Sequence, residues 1–199
     1  PTHYMPEDIL PGARVILSYF VGFPEEIGQG NVPGDVPSQQ WAQAYGETNE
    51  MFLHMNHHLQ KVLSQWGYQA ATPEQIGTLG PDRIYSNWSQ RHIAYAAGLG
   101  TFGMNNMLIT QNGCCGRFYS LVTDLPVLPG KPLERENCLY KREGKCGACI
   151  RRCPTKALSA ERSFDRQRCY HQLSQHEIAC GERVCGKCVV GMPCTFRAP

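Results

Sequence analysis

The sequence predicts a mixed α+β (α/β) protein in two unequal parts. Three observations predict it. Residues 1–132 alternate apolar, strand-like runs with helical periodicities, as a sheet covered by helices does. Nine of the eleven cysteines fall between Cys138 and Cys194, which marks residues 133–199 as a loop-rich cofactor segment. Between the parts, Pro126, Pro129, Gly130 and Pro132 make a stiff connection.

The elements follow in order. Ala13–Val21 is a nearly continuous apolar run after Pro11-Gly12, which predicts a buried strand. Gly22–Ser38, rich in Gly and Pro and acidic at Glu25 and Glu26, predicts an exposed loop, one that could cover a pocket. Trp41–Trp66 places Trp41, Ala44, Tyr45, Met51, Phe52, Met55, Leu59, Val62, Leu63 and Trp66 at helical spacing, and Gly67 ends it. His54, His57 and His58 on this helix have no acidic partner and read as polar-face residues rather than metal ligands. Gly67–Ala71 predicts a short strand, and Thr72-Pro73-Glu74 has the form of a helix start. Ser86 or Ser89 can cap a helix through Ala97 that stops at Gly98-Leu-Gly100. Met107–Thr110 and Arg117–Thr123 predict two further strands.

Charge divides the chain as composition does. Residues 1–137 carry seven basic against twelve acidic side chains, and residues 138–199 twelve against five, within an overall net charge of +2. A cubane held by four thiolates is net negative, so Lys145, Arg151, Arg152 and Lys187 inside the cysteine motifs are suited to offset it. A nucleic-acid surface is disfavoured, because no interleaved aromatic and basic pattern accompanies these cations. No apolar run approaches the roughly 20 residues that span a bilayer, and no secretory pattern precedes the first strand, so a cytoplasmic protein is expected. The chain enters its first strand almost at once, and the first domain is expected to be incomplete at its N-terminus.

The cysteine spacing carries the chemistry. Cys146-Gly-Ala-Cys149-Ile-Arg-Arg-Cys153-Pro154 follows the bacterial ferredoxin run, in which the cysteine before proline reaches over to a second cluster. Cys185-Gly-Lys-Cys188-Val-Val-Gly-Met-Pro193-Cys194 is a second group. A zinc site built from Cys146, Cys149, Cys185 and Cys188 is the alternative, although it has no use for Cys153-Pro154 or Cys194. An odd cysteine count disfavours a disulfide framework.

Two stretches add a family resemblance. Ser89-Gln-Arg91-His-Ile-Ala-Tyr-Ala-Ala-Gly98-Leu-Gly100-Thr-Phe-Gly103, with Leu108-Ile-Thr110 and then Ser120-Leu-Val-Thr123-Asp124-Leu-Pro126, resembles epoxyqueuosine reductases and, more distantly, corrinoid-dependent reductive dehalogenases. The resemblance implies a nitroreductase-like domain over 1–132, with cobalamin as a cofactor of that family, joined to a ferredoxin-like domain over 133–199 with two 4Fe–4S clusters. It implies Cys138, Cys146, Cys149 and Cys194 as ligands of one cluster, Cys169, Cys185, Cys188 and Cys153 as ligands of the other, and Cys180 as a spare. It implies Gly98, Gly100 and Gly103 as a cofactor-binding turn. Arg91 matches the family's arginine and, with Asp82 and Tyr85, is a candidate catalytic residue. Departures stand beside these matches. Ile84 occupies the family's acidic proton-donor position, Gln90 replaces a Glu, and Glu143 stands where a first ligand is usual, leaving that place to Cys138. The expected function is an anaerobic-type iron–sulfur redox protein relaying electrons through two clusters to a site in the N-terminal domain, where cobalamin is an option, with a redox protein as partner and a small-molecule substrate as a further option. The alternatives are a pure electron-transfer carrier or subunit without corrinoid and a zinc-stabilised binding module.

Three residue sets remain. Cys114-Cys115 in the turn Asn112–Gly116 could be redox-active or ligate a further metal, against the plainer reading of small residues in a tight turn. Tyr85, Trp88, Tyr95 and Tyr119 could donate protons, against a core role. Arg91 and His92 flank the glycine turn.

Overall fold

The computed structural model describes residues 3–74, 77–80 and 83–199, with backbone alone for 77–80, 83 and 85. In chain order the elements are α1 (Pro6–Ile9), β1 (Val15–Gly22), α2 (Glu25–Gly30), α3 (Gln39–Gln65), β2 (Ala70–Ala71), β3 (Gly77–Gly80), β4 (Arg83–Ser86), α4 (Gln90–Ala96), β5 (Gly100–Phe102), β6 (Leu108–Thr110), β7 (Gly116–Thr123), α5 (Leu139–Glu143), α6 (Ala148–Arg152) and α7 (Arg166–Cys180). They form a mixed α/β structure with small antiparallel sheets.

The main sheet has the order β1-β7-β2. β1 pairs with β7 throughout, from Val15 opposite Thr123 to Gly22 opposite Gly116. The apolar run at Ala13–Val21 does form this strand, yet its residues are only partly buried, because β1 is an edge. The central β7 is the buried strand, with Leu121, Val122 and Thr123 fully enclosed. The Ser120 groups at its centre are satisfied by neighbours, as buried polar groups usually are. The Trp88 indole Nε1–H donates to Ser120 Oγ (3.0 Å), Asn56 Nδ2 to the Ser120 carbonyl (2.9 Å), and Tyr19 Oη–H to Asn56 Oδ1 (2.8 Å).

The long helix α3 runs as its periodicity predicts, with Ser38 Oγ accepting from Trp41 N at 3.2 Å as the N-cap. Its buried face is narrower than expected. Trp41, Phe52 and Leu63 are enclosed, whereas Met51 and Trp66 are exposed, and Thr48 and Asn56 take buried places. α4 ends at Ala96 and Gly98 adopts φ 81°, the expected glycine stop.

Two expectations fail. Thr72-Pro73-Glu74 does not begin a helix: these residues are irregular, Thr72 Oγ1 accepts from Asn56 Nδ2 (3.1 Å), and a β3–β4 hairpin follows. A tertiary partner takes the hydroxyl that would have capped the helix. Gly22–Ser38 is not simply an exposed loop, since it contains α2 and buries Phe23, Gly28 and Asn31. Its reason is contact with the C-terminal segment, where a Cβ on Gly28 would lie 2.5 Å from the Phe196 ring. One core cluster accordingly joins Phe23 and Trp41 to Cys138, Val184 and Val190. Among the described residues no helix is long and apolar enough to cross a membrane.

Candidate metal centre

The first thiol group gathers around one cavity. Cys138 is the N-cap of α5, Cys149 lies within α6, Cys146 precedes α6, and Cys194 lies in the C-terminal loop. All four line the cavity, together with Asn105, Ile109, Tyr140 and Met192. Left-handed Gly144 (φ 69°), Cys146 (φ 103°) and Gly147 (φ 69°) turn the chain between the two short helices, so a Cβ on Gly147 would stand 3.7 Å from the Tyr140 ring. Burial, followed by the neighbouring Cys194, Cys138 and Cys146, pushes the Cys149 thiol up to about 12. Cys146 is the exposed member.

The second group lies beyond α6. Cys153 follows that helix, Cys169 is on α7, and Cys185 and Cys188 flank Gly186-Lys187. Burial and then Cys185 and Cys153 push Cys169 up to about 11, and burial, Cys185, Cys169 and Cys153 raise Cys188. Cys153 moves the other way: burial opposes its thiolate, but hydrogen bonding to Thr155 and to the backbone of Ala157 (Ala157 N–H to Sγ, 3.3 Å) outweighs it. The two groups adjoin, because Cys149 and Cys188 both pack against the Cys153 cluster.

Cations sit where a negative centre would need them. Lys187, expected near the ligands, is 1% exposed, and its Nζ donates to the carbonyls of Asn31 and Pro33 at 2.8 Å each. Burial lowers its pKa and the neighbouring Cys185 opposes that shift. Arg152 Nε is buried without a partner among the described residues. Arg151 donates to the Cys146 carbonyl (2.8 Å), whereas Lys145 is a surface residue paired with Glu143. Thiols whose ionisation is opposed by burial and by one another, a buried ammonium and an orphaned guanidinium nitrogen are together a fit to iron–sulfur clusters, whose iron and sulfide would bind the thiolates and accept the donors. Each thiolate of a cubane binds a different iron, so its sulfurs stand further apart than the roughly 3.8 Å that tetrahedral Zn–S bonds of about 2.3 Å impose. Among the described residues no three Cys, His, Asp or Glu side chains are grouped closely enough for a single ion.

Other expected residues are placed as follows. Arg91, at the surface end of α4, donates to the Asn106 carbonyl (2.7 Å) and lies in the field of Cys188 and Cys169. Asp82 and the Tyr85 side chain lie outside the described residues. Gly98, Gly100 and Gly103 lack side chains for an internal reason. A Cβ on each would run into the Lys131 carbonyl, the Ile109 carbonyl and the Asn105 side chain respectively, so packing of the chain itself requires glycine at these positions. His54, His57 and His58 are exposed. Trp88 is core, Tyr119 stacks on Phe52 (4.8 Å between centroids), and Tyr95 is at the surface. Cys180 donates to the His176 carbonyl (3.1 Å) within its own helix.

Three supporting residues carry little sequence signal. Asn105 lines the cavity and its Nδ2 donates to the Cys188 carbonyl (2.9 Å), linking the groups. Asn31 Nδ2 donates to the Cys185 carbonyl (3.0 Å). His176, 2% exposed, bonds the Val184 carbonyl through Nδ1 (2.8 Å) and so fixes α7 to the second motif. Asn105-Asn106 after Gly103 reads only as a turn.

Comparison with known proteins agrees with the resemblance. No family model matches the chain. An epoxyqueuosine reductase of Vibrio cholerae is 26% identical over 208 residues, covering 98% of this chain and 53% of that protein. The chain thus spans about half the length of that relative. The solved epoxyqueuosine reductase from Streptococcus thermophilus aligns with 100% of this chain and 54% of its own length, at a TM-score of 0.62 and 18% identity. A catabolic reductive dehalogenase, solved with 3-bromo-4-hydroxybenzoic acid, covers 92% of this chain and 26% of its own length, at a TM-score of 0.61 and 19% identity. The fold is therefore one shared with both kinds of reductase.

Proposed function

We propose that this chain is an iron–sulfur redox protein related to the epoxyqueuosine reductases, with two 4Fe–4S clusters in a ferredoxin-like C-terminal segment. Cys138, Cys146, Cys149 and Cys194 hold one, Cys153, Cys169, Cys185 and Cys188 the other. The observation that carries this reading is the placement of the thiols, four of them around a common cavity and Cys153, Cys169 and Cys188 in one core cluster, with Cys185 three residues before Cys188. Each cluster, when bound, exchanges one electron. The chain's own residues bind it and set its potential. The Ala157 N–H at Cys153 and the Lys187 ammonium favour the reduced, more negative form. Exposed Cys146 gives the first group an edge at which a donor protein can dock.

Anaerobic reconstitution followed by iron and sulfide analysis tests this. Eight irons per chain are expected, and a count clearly below eight overturns the two-cluster reading. Replacing Cys153 with Ala should cost the cluster of Cys185 and Cys188; loss of the Cys146 group instead would reverse the assignment. Zinc in a colourless protein would return the zinc-site alternative.

A specific observation bears on the electron acceptor. The Gly98, Gly100 and Gly103 positions have no room for side chains of their own, and we take a docked redox protein as the acceptor, with a corrinoid as the alternative. Adding cob(II)alamin to the reconstituted protein should leave its visible spectrum unchanged; a shift to the base-off form would favour the corrinoid.

A further inference from the structure

We propose that Cys114 is a reserve ligand of the first site, able to take the iron position of Cys194. The inference rests on the two-cluster reading. Cys114 is fully buried and its thiol donates to Cys194 Sγ at 3.9 Å, so a fifth sulfur stands directly behind one of the four that line the cavity. Asn105, on the cavity wall, reaches the same Cys114 sulfur at 3.9 Å. The approach is fixed by backbone. Cys114 N–H lies against the Cys194 and Thr195 carbonyls (3.0 and 3.1 Å), Cys115 N–H donates to Thr195 (2.9 Å), and a Cβ on Gly113 would meet the Thr195 carbonyl.

The vicinal pair divides its work. Cys115 Sγ lies 3.1 Å from where a Gly28 Cβ would be, in the core between α2 and Phe196, and takes no part. Cys114 alone faces a ligand. The exchange is redox-neutral: the Cys114 S–H bond breaks as its Fe–S bond forms, the Cys194 Fe–S bond breaks, and the proton crosses the existing S–H···S contact to the departing Cys194 sulfur.

The test compares anaerobically reconstituted wild type, Cys194→Ala, Cys114→Ala and the two double variants Cys194→Ala/Cys114→Ala and Cys194→Ala/Cys114→Ser. Wild type and both single variants should hold eight irons, and both double variants about four, since Ser keeps the volume and hydrogen bond at 114 without the sulfur. Electron paramagnetic resonance of the reduced proteins should show two interacting clusters in Cys194→Ala and one isolated cluster in the double variants. A fall to four irons in Cys194→Ala, with wild type at eight, overturns the reserve-ligand proposal and leaves the two-cluster reading intact. A wild-type count below eight overturns that reading, and this inference with it.

Discussion

Across β1 and β7, eight consecutive residue pairs close one ladder, and Trp88, Asn56 and Ser120 satisfy one another beneath it. After Leu139, by contrast, no strand forms among the described residues, and α5 and α6 are five residues each, too short to persist alone. The polar groups there depend on distant backbone, as Lys187 does on Asn31 and Pro33, and buried thiols raise one another's pKa. The sheet region thus carries its stabilising interactions in its own chain. The cysteine region buries thiols whose ionisation is disfavoured until a bound metal compensates the thiolates, so its order is expected to depend on metal.

Stripping the iron is the largest perturbation of that contrast. Amides of α7 and of residues 184–195 should exchange with solvent at least about 100-fold faster, the effect of about 2.7 kcal/mol of lost ligand stabilisation, while those of β7 keep their protection. Equal loss in both regions would erase the distinction. The reciprocal change is Trp88→Ala, which should cost about 3–5 kcal/mol in urea unfolding without lowering the iron bound per folded chain.

Lys187→Met sits at the boundary. It leaves two carbonyls unpaired, at a cost of about 1–3 kcal/mol, and lowers the reduction potential of the second cluster by removing a buried positive charge. An unchanged potential in a redox titration would remove Lys187 from charge compensation. The smallest expected effect is Ser38→Ala, about 1 kcal/mol from loss of the α3 cap, read as a shift in thermal midpoint with iron content unaltered.

Legibility followed the same division. The apolar run of β1, the alternation in β7, the period of α3 and the glycine stop of α4 are local signals, and the chain obeys them. Thr72-Pro73-Glu74 is also a local signal, but Asn56 on α3 claims the Thr72 hydroxyl from sixteen residues away. α2 was hidden because its reason for burial, Phe196, lies far along the chain. Spacing pointed to iron–sulfur chemistry, while the division into two ligand sets came from the resemblance, since Cys138, Cys169 and Cys194 have no regular interval. Lys187 was legible as a cation near thiols, but not as a buried one: Gly-Lys between two cysteines reads as a surface turn until the carbonyls at 31 and 33 are seen to enclose it.

The clasp between residues 31–33 and 185–187 joins positions about 154 residues apart in sequence. During synthesis β1 can close on β7 well before Lys187 leaves the ribosome, whereas the Asn31 loop must wait for residues 185–187. The complete second site therefore matures only after residues 185–188 have been made. A chain stopped before residue 185 would present the β1–β7 ladder with the Asn31 and Pro33 carbonyls still waiting for the Lys187 ammonium.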